Sequence, residues 1–326
     1  MDEQAAVAER YARFARDEAP GRSALYAEWA SAVASDPALA AVLARIAAAH
    51  RQPPLVFAVT RLLGAPESGE WPSWLLAHAD EVVAECGSRS LQTNEPLRCA
   101  VLLPALSLID GPIALLEVGA SAGLCLYPDR YAYRYASADG DTVLGDSPVV
   151  LHSRFRGPLR PPLRLPDVVW RAGIDLHPLD AGDAGDRRFL ETLVWPGEEG
   201  RESRIRSALD VVAADPPLLI ERDAVEAIPE VAALAPPGAT LVITTPGVLA
   251  HVPYAGRVRI IDAARAAGRW ITLDAPSLHD GWSAPIDQAT WPSDAFALAL
   301  DGDVLAAVDP LGGFVEWRAG LRASHD

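Results

Sequence analysis

The chain has 326 residues, 50% of them hydrophobic and 22% charged, a balance that excludes a disordered chain and is large enough for two packed cores. Its 44 acidic residues against 28 basic ones give a formal charge of −16, an acidic surface that repels nucleic-acid backbones and speaks against DNA or RNA as a partner. There is no lysine, which excludes a pyridoxal-phosphate Schiff base and a P-loop lysine.

No apolar run approaches the roughly 20 residues that span a bilayer, so no membrane partner is expected. Residues 1–20 are charged and lack the apolar core of a secretory signal. Cys86, Cys99 and Cys125 show no paired spacing and read as small buried residues of a reducing compartment, which points to the cytoplasm. His78, His152 and His279 show no ligand spacing, so no metal is expected.

Residues 1–108 read as a helical N-terminal or cap domain. Its clearest helix starts at Ser35-Asp36-Pro37, a capping residue followed by proline. Leu39, Val42, Leu43 and Ile46 then follow at the spacing of one apolar helix face. Similar stretches predict helices over 4–18, 22–34, 53–63, 72–86 and 95–108, punctuated by Pro20-Gly21, Pro53-Pro54 and Gly64 to Pro66.

Gly111-Pro112 opens a second domain, 109–326. Ile113–Val118 is a short apolar strand, and 167–176, 217–221, 239–245 and 269–274 predict further strands. Helices are predicted over 186–194, 198–213, 224–234 and 254–267. Such alternation implies a mostly parallel sheet covered on both faces. An insert over about 128–166 interrupts it, with a hairpin through Tyr131–Tyr135 and Asp139-Gly140-Asp141. The tail, 295–300 and 304–308 about Asp301-Gly302-Asp303, predicts an antiparallel C-terminal hairpin. The predicted fold class is α/β, Rossmann-like, with the N-terminal helical domain.

The first strand runs into Glu117-Val-Gly119-Ala120-Ser121-Ala-Gly123. A glycine at 119 lets the backbone turn sharply with no Cβ in the way of a ligand. Glu117 falls at the carboxyl edge of the strand, where doubly wound sheets bind ligands. A dinucleotide fingerprint fits poorly, because Ser121 replaces its second glycine and Leu124 its last small residue. An acid-x-Gly-x-Gly-x-Gly pattern fits better, with Glu117, Gly119 and Gly123 matching and Ser121 departing. An empty structural turn is the third reading. Asp175 ends the next strand, where a carboxylate can accept from both hydroxyls of a ribose. Asp223 ends the third and could accept from an adenine amino group. Both acids are equally readable as helix caps or surface acids. Asp139 competes with Asp175 for the ribose; Asp175 is preferred, because Asp139-Gly140 suits a hairpin turn.

On these residues the chain resembles the class I S-adenosylmethionine-dependent methyltransferases, whose sheets also end in an antiparallel hairpin. More closely, it is similar to the bacterial domain-of-unknown-function family 2332. The stretches that carry the likeness are Gln92-Thr-Asn94-Glu95, Leu116–Leu124, Asp129-Arg130-Tyr131, Gly173–Pro178 and Val194-Trp195-Pro196. The resemblance implies a methyltransferase sheet and S-adenosylmethionine as cofactor, held by Glu117, Gly119, Ala120, Ser121, Gly123, Asp175 and Asp223. It implies no particular substrate. Asp175 lies further past the glycine turn than the resemblance leads one to expect, and Thr244 to Gly247 depart from it.

His251 and Tyr254 follow the fourth strand on the same edge and are the candidate catalytic pair, His251 as a base. His177 is a second candidate. The alternative for His251 is a histidine satisfied on a helix. Arg154, Arg156, Arg160, Arg164 and Arg171 either steer an anionic substrate or pair with the chain's own acids, the commoner outcome. The tryptophans read first as packing groups. Three functions stay open: methylation of a small-molecule substrate, non-catalytic binding of adenosylmethionine or a nucleotide, and a degenerate methyltransferase fold acting as an interaction protein.

Overall fold

The computed structural model describes residues 3–320 and divides into two compact units. One comprises Met1–Thr93 and Gly182–Arg206, the other Asn94–Ala181 and Ser207–Asp326.

The first unit is helical: α1 (Glu3–Arg13), α2 (Ala24–Ser35), α3 (Pro37–Ala44), α4 (Pro53–Leu62), α5 (Trp71–Ala77) and α6 (Ala79–Ser88). The predicted helix over 4–18 loosens into a π-helical turn at Phe14–Glu18, and the one over 72–86 breaks at His78. Asp36 caps α3, its Oδ1 accepting from the Ala38 amide at 2.8 Å, with Pro37 at the first helical position. The core is aromatic: Tyr11, Phe14, Tyr26, Trp29, Phe57 and Trp71 are fully buried, and Trp29 stacks on Trp71 with centroids 4.8 Å apart. Segment 182–206 carries a further helix and returns Trp195 to this core, against Phe14 and Tyr26.

The second unit is a mixed α/β fold around one large sheet. Its elements are α7 (Arg98–Leu106), β1 (Pro112–Val118), β2 (Ala132–Ala136), β3 (Thr142–Leu144), β4 (Val150–Arg156) and β5 (Asp167–Asp175). After α8 (Ala184–Thr192), which belongs to the first unit, come α9 (Arg201–Ala214), which begins in the first unit and ends in the second, β6 (Leu218–Glu221), α10 (Ala224–Ala232) and β7 (Thr240–Pro246). Then follow α11 (Tyr254–Ala267), β8 (Arg269–Asp274), β9 (Phe296–Leu300), β10 (Asp303–Val308) and β11 (Val315–Trp317). The sequence drew its boundary at residue 108, whereas the units divide at Thr93. Helix α7 goes with the sheet: the Cys99 thiol bonds the Cys125 carbonyl at 3.6 Å, and the Tyr135 hydroxyl donates to the Ala100 carbonyl at 2.7 Å.

The sheet runs β3-β2-β4-β11-β10-β9-β8-β7-β1-β5-β6. From β6 to β8 the strands are parallel, as the alternation predicted. The chain leaves β1 toward β5 and β6, then returns to β7 and β8 on the other side. That reversal makes a crevice between the carboxyl ends of β1 and β7, where open α/β sheets bind ligands. The predicted C-terminal hairpin is β9–β10, and β11 adds an unpredicted third strand. The predicted hairpin of the insert is β2–β3, and β4 joins it in parallel to β11, so this segment continues the same sheet.

Alternation along the strands decides what each face sees. Leu116, Val118, Ile243 and Trp270 point to the face packed by α10 and α11, with Ile228, Val231, Ile260 and Ile261 against them. Glu117, registered opposite Thr244 and Gly173, points to the other face.

Candidate functional site

The turn after β1 is held left-handed at three places: Gly119 at φ 74°, Ser121 at φ 52° and Gly123 at φ 77°. A non-glycine at positive φ is uncommon and persists only where its surroundings hold it. Ser121 is held four ways. Its amide donates to Asp175 Oδ2 at 2.8 Å, and its carbonyl accepts from the Leu179 amide at 3.3 Å. Its hydroxyl accepts from Asn94 Nδ2, while Asn94 Oδ1 accepts from the Ala122 amide at 3.3 Å. Asn94, just before α7, thus clamps the turn through two consecutive residues. Nothing in the spacing announces this contact across 27 residues.

The remaining donors of the turn are also used. The Gly119 and Ala120 amides both reach the Ile174 carbonyl, at 2.8 and 3.3 Å, and the Gly123 amide donates to the Ala120 carbonyl at 2.7 Å. No amide from 119 to 123 is left for an incoming phosphate, so the anion cradle of a dinucleotide site is missing here. The space expected to be open over Gly119 is filled: a Cβ there would lie 2.4 Å from Val248 Cγ2. Gly173 is fixed the same way, its absent Cβ 2.4 Å from that of Ala120. Close packing of the turn on β5 and Val248 is what these two glycines permit.

Acceptors remain. Glu117 is 4% exposed and its Oε2 has no hydrogen-bond partner. Burial pushes its carboxyl well above the usual range, Cys125 and Asp175 adding to the shift and the Arg98 guanidinium opposing it. Asp175 is half-buried at the end of β5; its two oxygens take the amides of Ser121 and His177, at 2.8 and 2.9 Å. Two bonds leave lone pairs on a carboxylate that has about four acceptor sites. Asp223 is exposed at the end of β6 and caps α10, Oδ1 accepting from the Val225 amide at 2.8 Å. Cap and ligand acceptor are compatible roles, since Oδ2 is not used by the cap.

Not every predicted residue converges. Glu117, Gly119, Ala120, Ser121, Gly123 and Asp175 are brought together. Asp139 is not: it sits in the β2–β3 turn, paired with Arg160 at 3.1 Å. His251 is exposed on the short turn Leu249–His251, and its ring has no hydrogen-bond partner among the described residues. Tyr254 is 60% exposed, its hydroxyl donating to Asp280 at 3.3 Å. The arginine-rich stretch pairs inward: Arg156 with Asp294, Arg164 with Asp110, and Arg171 with Asp129 in a two-pronged bond at 2.7 and 2.8 Å. Among the described residues no group of three or more His, Cys, Asp or Glu is placed to hold a metal, and no helix is long and apolar enough to cross a membrane.

The sequence profile of a family described as an uncharacterized protein conserved in bacteria (DUF2332) matches residues 8–317. No curated protein and no solved structure matches the chain.

Proposed function

The chain belongs to the bacterial DUF2332 family, and from that starting point we propose that its sheet is a Rossmann-like methyltransferase sheet that binds S-adenosylmethionine and serves methyl transfer to a small molecule. The observation that carries this reading is the orphaned, buried Glu117 carboxyl at the switch-point edge. Around it the turn has spent its donors and kept its acceptors. Such an edge disfavours a pyrophosphate and suits a ligand with an ammonium, a sulfonium and ribose hydroxyls.

On that fit, Glu117 takes the ammonium end and Asp175 the ribose hydroxyls, with Asp223 the acceptor nearest the third strand end. Bound there, the cofactor supplies an electrophilic methyl group. The protein's own share is placement and exclusion of water. Asn94 and Asp175 hold Ser121 left-handed, which fixes the turn, and Val248, just past the end of β7, packs on Gly119.

A second reading is favoured by one observation. His251 and Tyr254 lie exposed, on the turn Leu249–His251 and at the start of α11, without a shared partner, which suits a module that binds adenosylmethionine without transferring its methyl group.

Calorimetric titration with adenosylmethionine and adenosylhomocysteine tests the site. Saturable binding is expected for the native chain, weakened about tenfold or more by Glu117→Gln and by Asp175→Asn, each replacing a carboxyl acceptor with an amide. Absence of binding by the native chain overturns the proposal. Product adenosylhomocysteine formed with cell extract separates transfer from mere binding.

A further inference from the structure

Arg98, the first residue of α7, is half-buried. Among the described residues its guanidinium meets no carboxylate at ion-pair distance and is held by carbonyls alone. Nε donates to the Pro310 carbonyl at 3.0 Å and Nη1 to the Pro246 carbonyl at 3.1 Å. Nη2 makes no hydrogen bond among these residues, and it lies against Gly247, where a Cβ would stand 3.3 Å from it. Arg156, Arg164 and Arg171, by contrast, all pair with acids. In a chain of charge −16, a half-covered cation left without one calls for a cause.

Strand register sets this guanidinium beside the crevice. Glu117 in β1 stands opposite Thr244 in β7, and Pro246 follows two residues on, roughly 7 Å along the strand. Alternation turns Thr244 and Pro246 to the face that Glu117 occupies. Arg98 is fastened at that Pro246 carbonyl, and its charge acts on the Glu117 carboxyl across a gap too wide for an ion pair. Two unmet needs therefore meet at the carboxyl ends of β1 and β7, within the second unit: guanidinium protons without an acceptor, and a carboxyl oxygen without a donor.

A carboxylate alone would be drawn to Arg98 and repelled by Glu117, and an ammonium alone the reverse. A group that carries both charges on one carbon answers both. Adenosylmethionine ends in such a group. We propose that Arg98 is the specificity-determining residue of this edge: its Nη2 takes the carboxylate of the cofactor's amino-acid end while Glu117 takes the ammonium. The inference rests on the adenosylmethionine reading and adds to it a demand for the complete amino acid. The two strand-end carbonyls have a part in this, because they fix the guanidinium plane before the ligand arrives, so little side-chain freedom is lost on binding.

The test is calorimetric titration with adenosylmethionine and with decarboxylated adenosylmethionine, which keeps the ammonium, sulfonium and ribose and lacks only the carboxylate. The native chain is expected to bind the complete cofactor about tenfold or more tightly, and Arg98→Met to erase that preference. Glu117→Gln is expected to weaken both ligands alike, since both carry the ammonium. Arg98→Lys keeps the charge and loses the fork; it serves if Arg98→Met does not fold, and is expected to lower the preference. A preference that is unchanged in either Arg98 variant overturns the inference, because the carboxylate is then held elsewhere. Equal binding of the two ligands by the native chain also overturns it and leaves the adenosylmethionine reading standing. Binding of neither removes that reading and the inference together.

Discussion

At the scale of the residue, Glu117 concentrates the tension of the site. A carboxyl whose folded pKa is raised costs stability wherever it must ionise. Below about pH 4 it is protonated in both states and contributes nothing, an unfolded glutamate titrating near 4.3. As pH rises past that value the unfolded chain releases its proton first, so stability falls until the folded carboxyl ionises too. Glu117→Gln removes this loss. Thermal melts should show native chain and variant close together at pH 4 and the variant's advantage growing toward pH 8; a constant difference would show that Glu117 ionises normally. Sequence made this residue, the glycines and Asp175 visible because they are local: an acid and a turn at strand ends. It could not reveal Asn94, whose role depends on the chain just before α7 being folded against the turn. His251 is legible from its place after a strand, and it stands exposed there.

At the scale of the element, the hairpin β9–β10 shows how much a short signal can determine. Asp301-Gly302 predicted a tight turn, and both residues are left-handed, at φ 56° and 94°. The turn is also wedged in place. A Cβ on Gly302 would meet Arg265 at 2.3 Å and the Gly281 carbonyl at 2.6 Å. Asp301 meanwhile accepts from the Trp270 amide at 2.8 Å and from Arg269, tying the hairpin to β8. Gly302→Ala therefore combines strain at positive φ with overpacking and should cost about 2–4 kcal/mol, read as a lowered denaturant midpoint. A change within 0.5 kcal/mol, the ordinary range for a surface site, would show that the turn gives way. The third strand, β11, went unseen for a physical reason: three residues carry too little alternation, and its partners β4 and β10 lie far away in sequence.

At the scale of the whole molecule, the chain does not finish one unit before starting the next. Residues 182–206 go back to the helical unit, where Arg61 donates to the carbonyls of Thr192 and Val194, both at 2.8 Å. These bonds from a largely buried guanidinium hold the returning segment, and losing them should cost about 2–3 kcal/mol. Arg61→Ala is expected to speed amide exchange and tryptic cleavage around Arg201 and Arg204, leaving exchange in β1 and β7 unchanged; uniform protection would deny the fastening role. Sequence reading placed the helices of this segment well and could not place their allegiance, because helical periodicity says which face is apolar and not which core receives it. Phe189, Leu190 and Trp195 are the apolar face concerned, all buried. A fragment beginning at residue 94 would carry them with no core to enter and should be insoluble.

The sheet, parallel from β6 to β8, ends on both sides in very short strands: three residues in β3, four in β6. An open sheet is a template, since its outermost strand offers unpaired amides and carbonyls to any extended chain that arrives. Here each border offers only a few such groups. The flanking Arg134–Asp141 pair by β3 and the exposed Glu221 in β6 add charge where a foreign strand would have to lie. The long run of strands between them is thereby guarded against growing outward into aggregates.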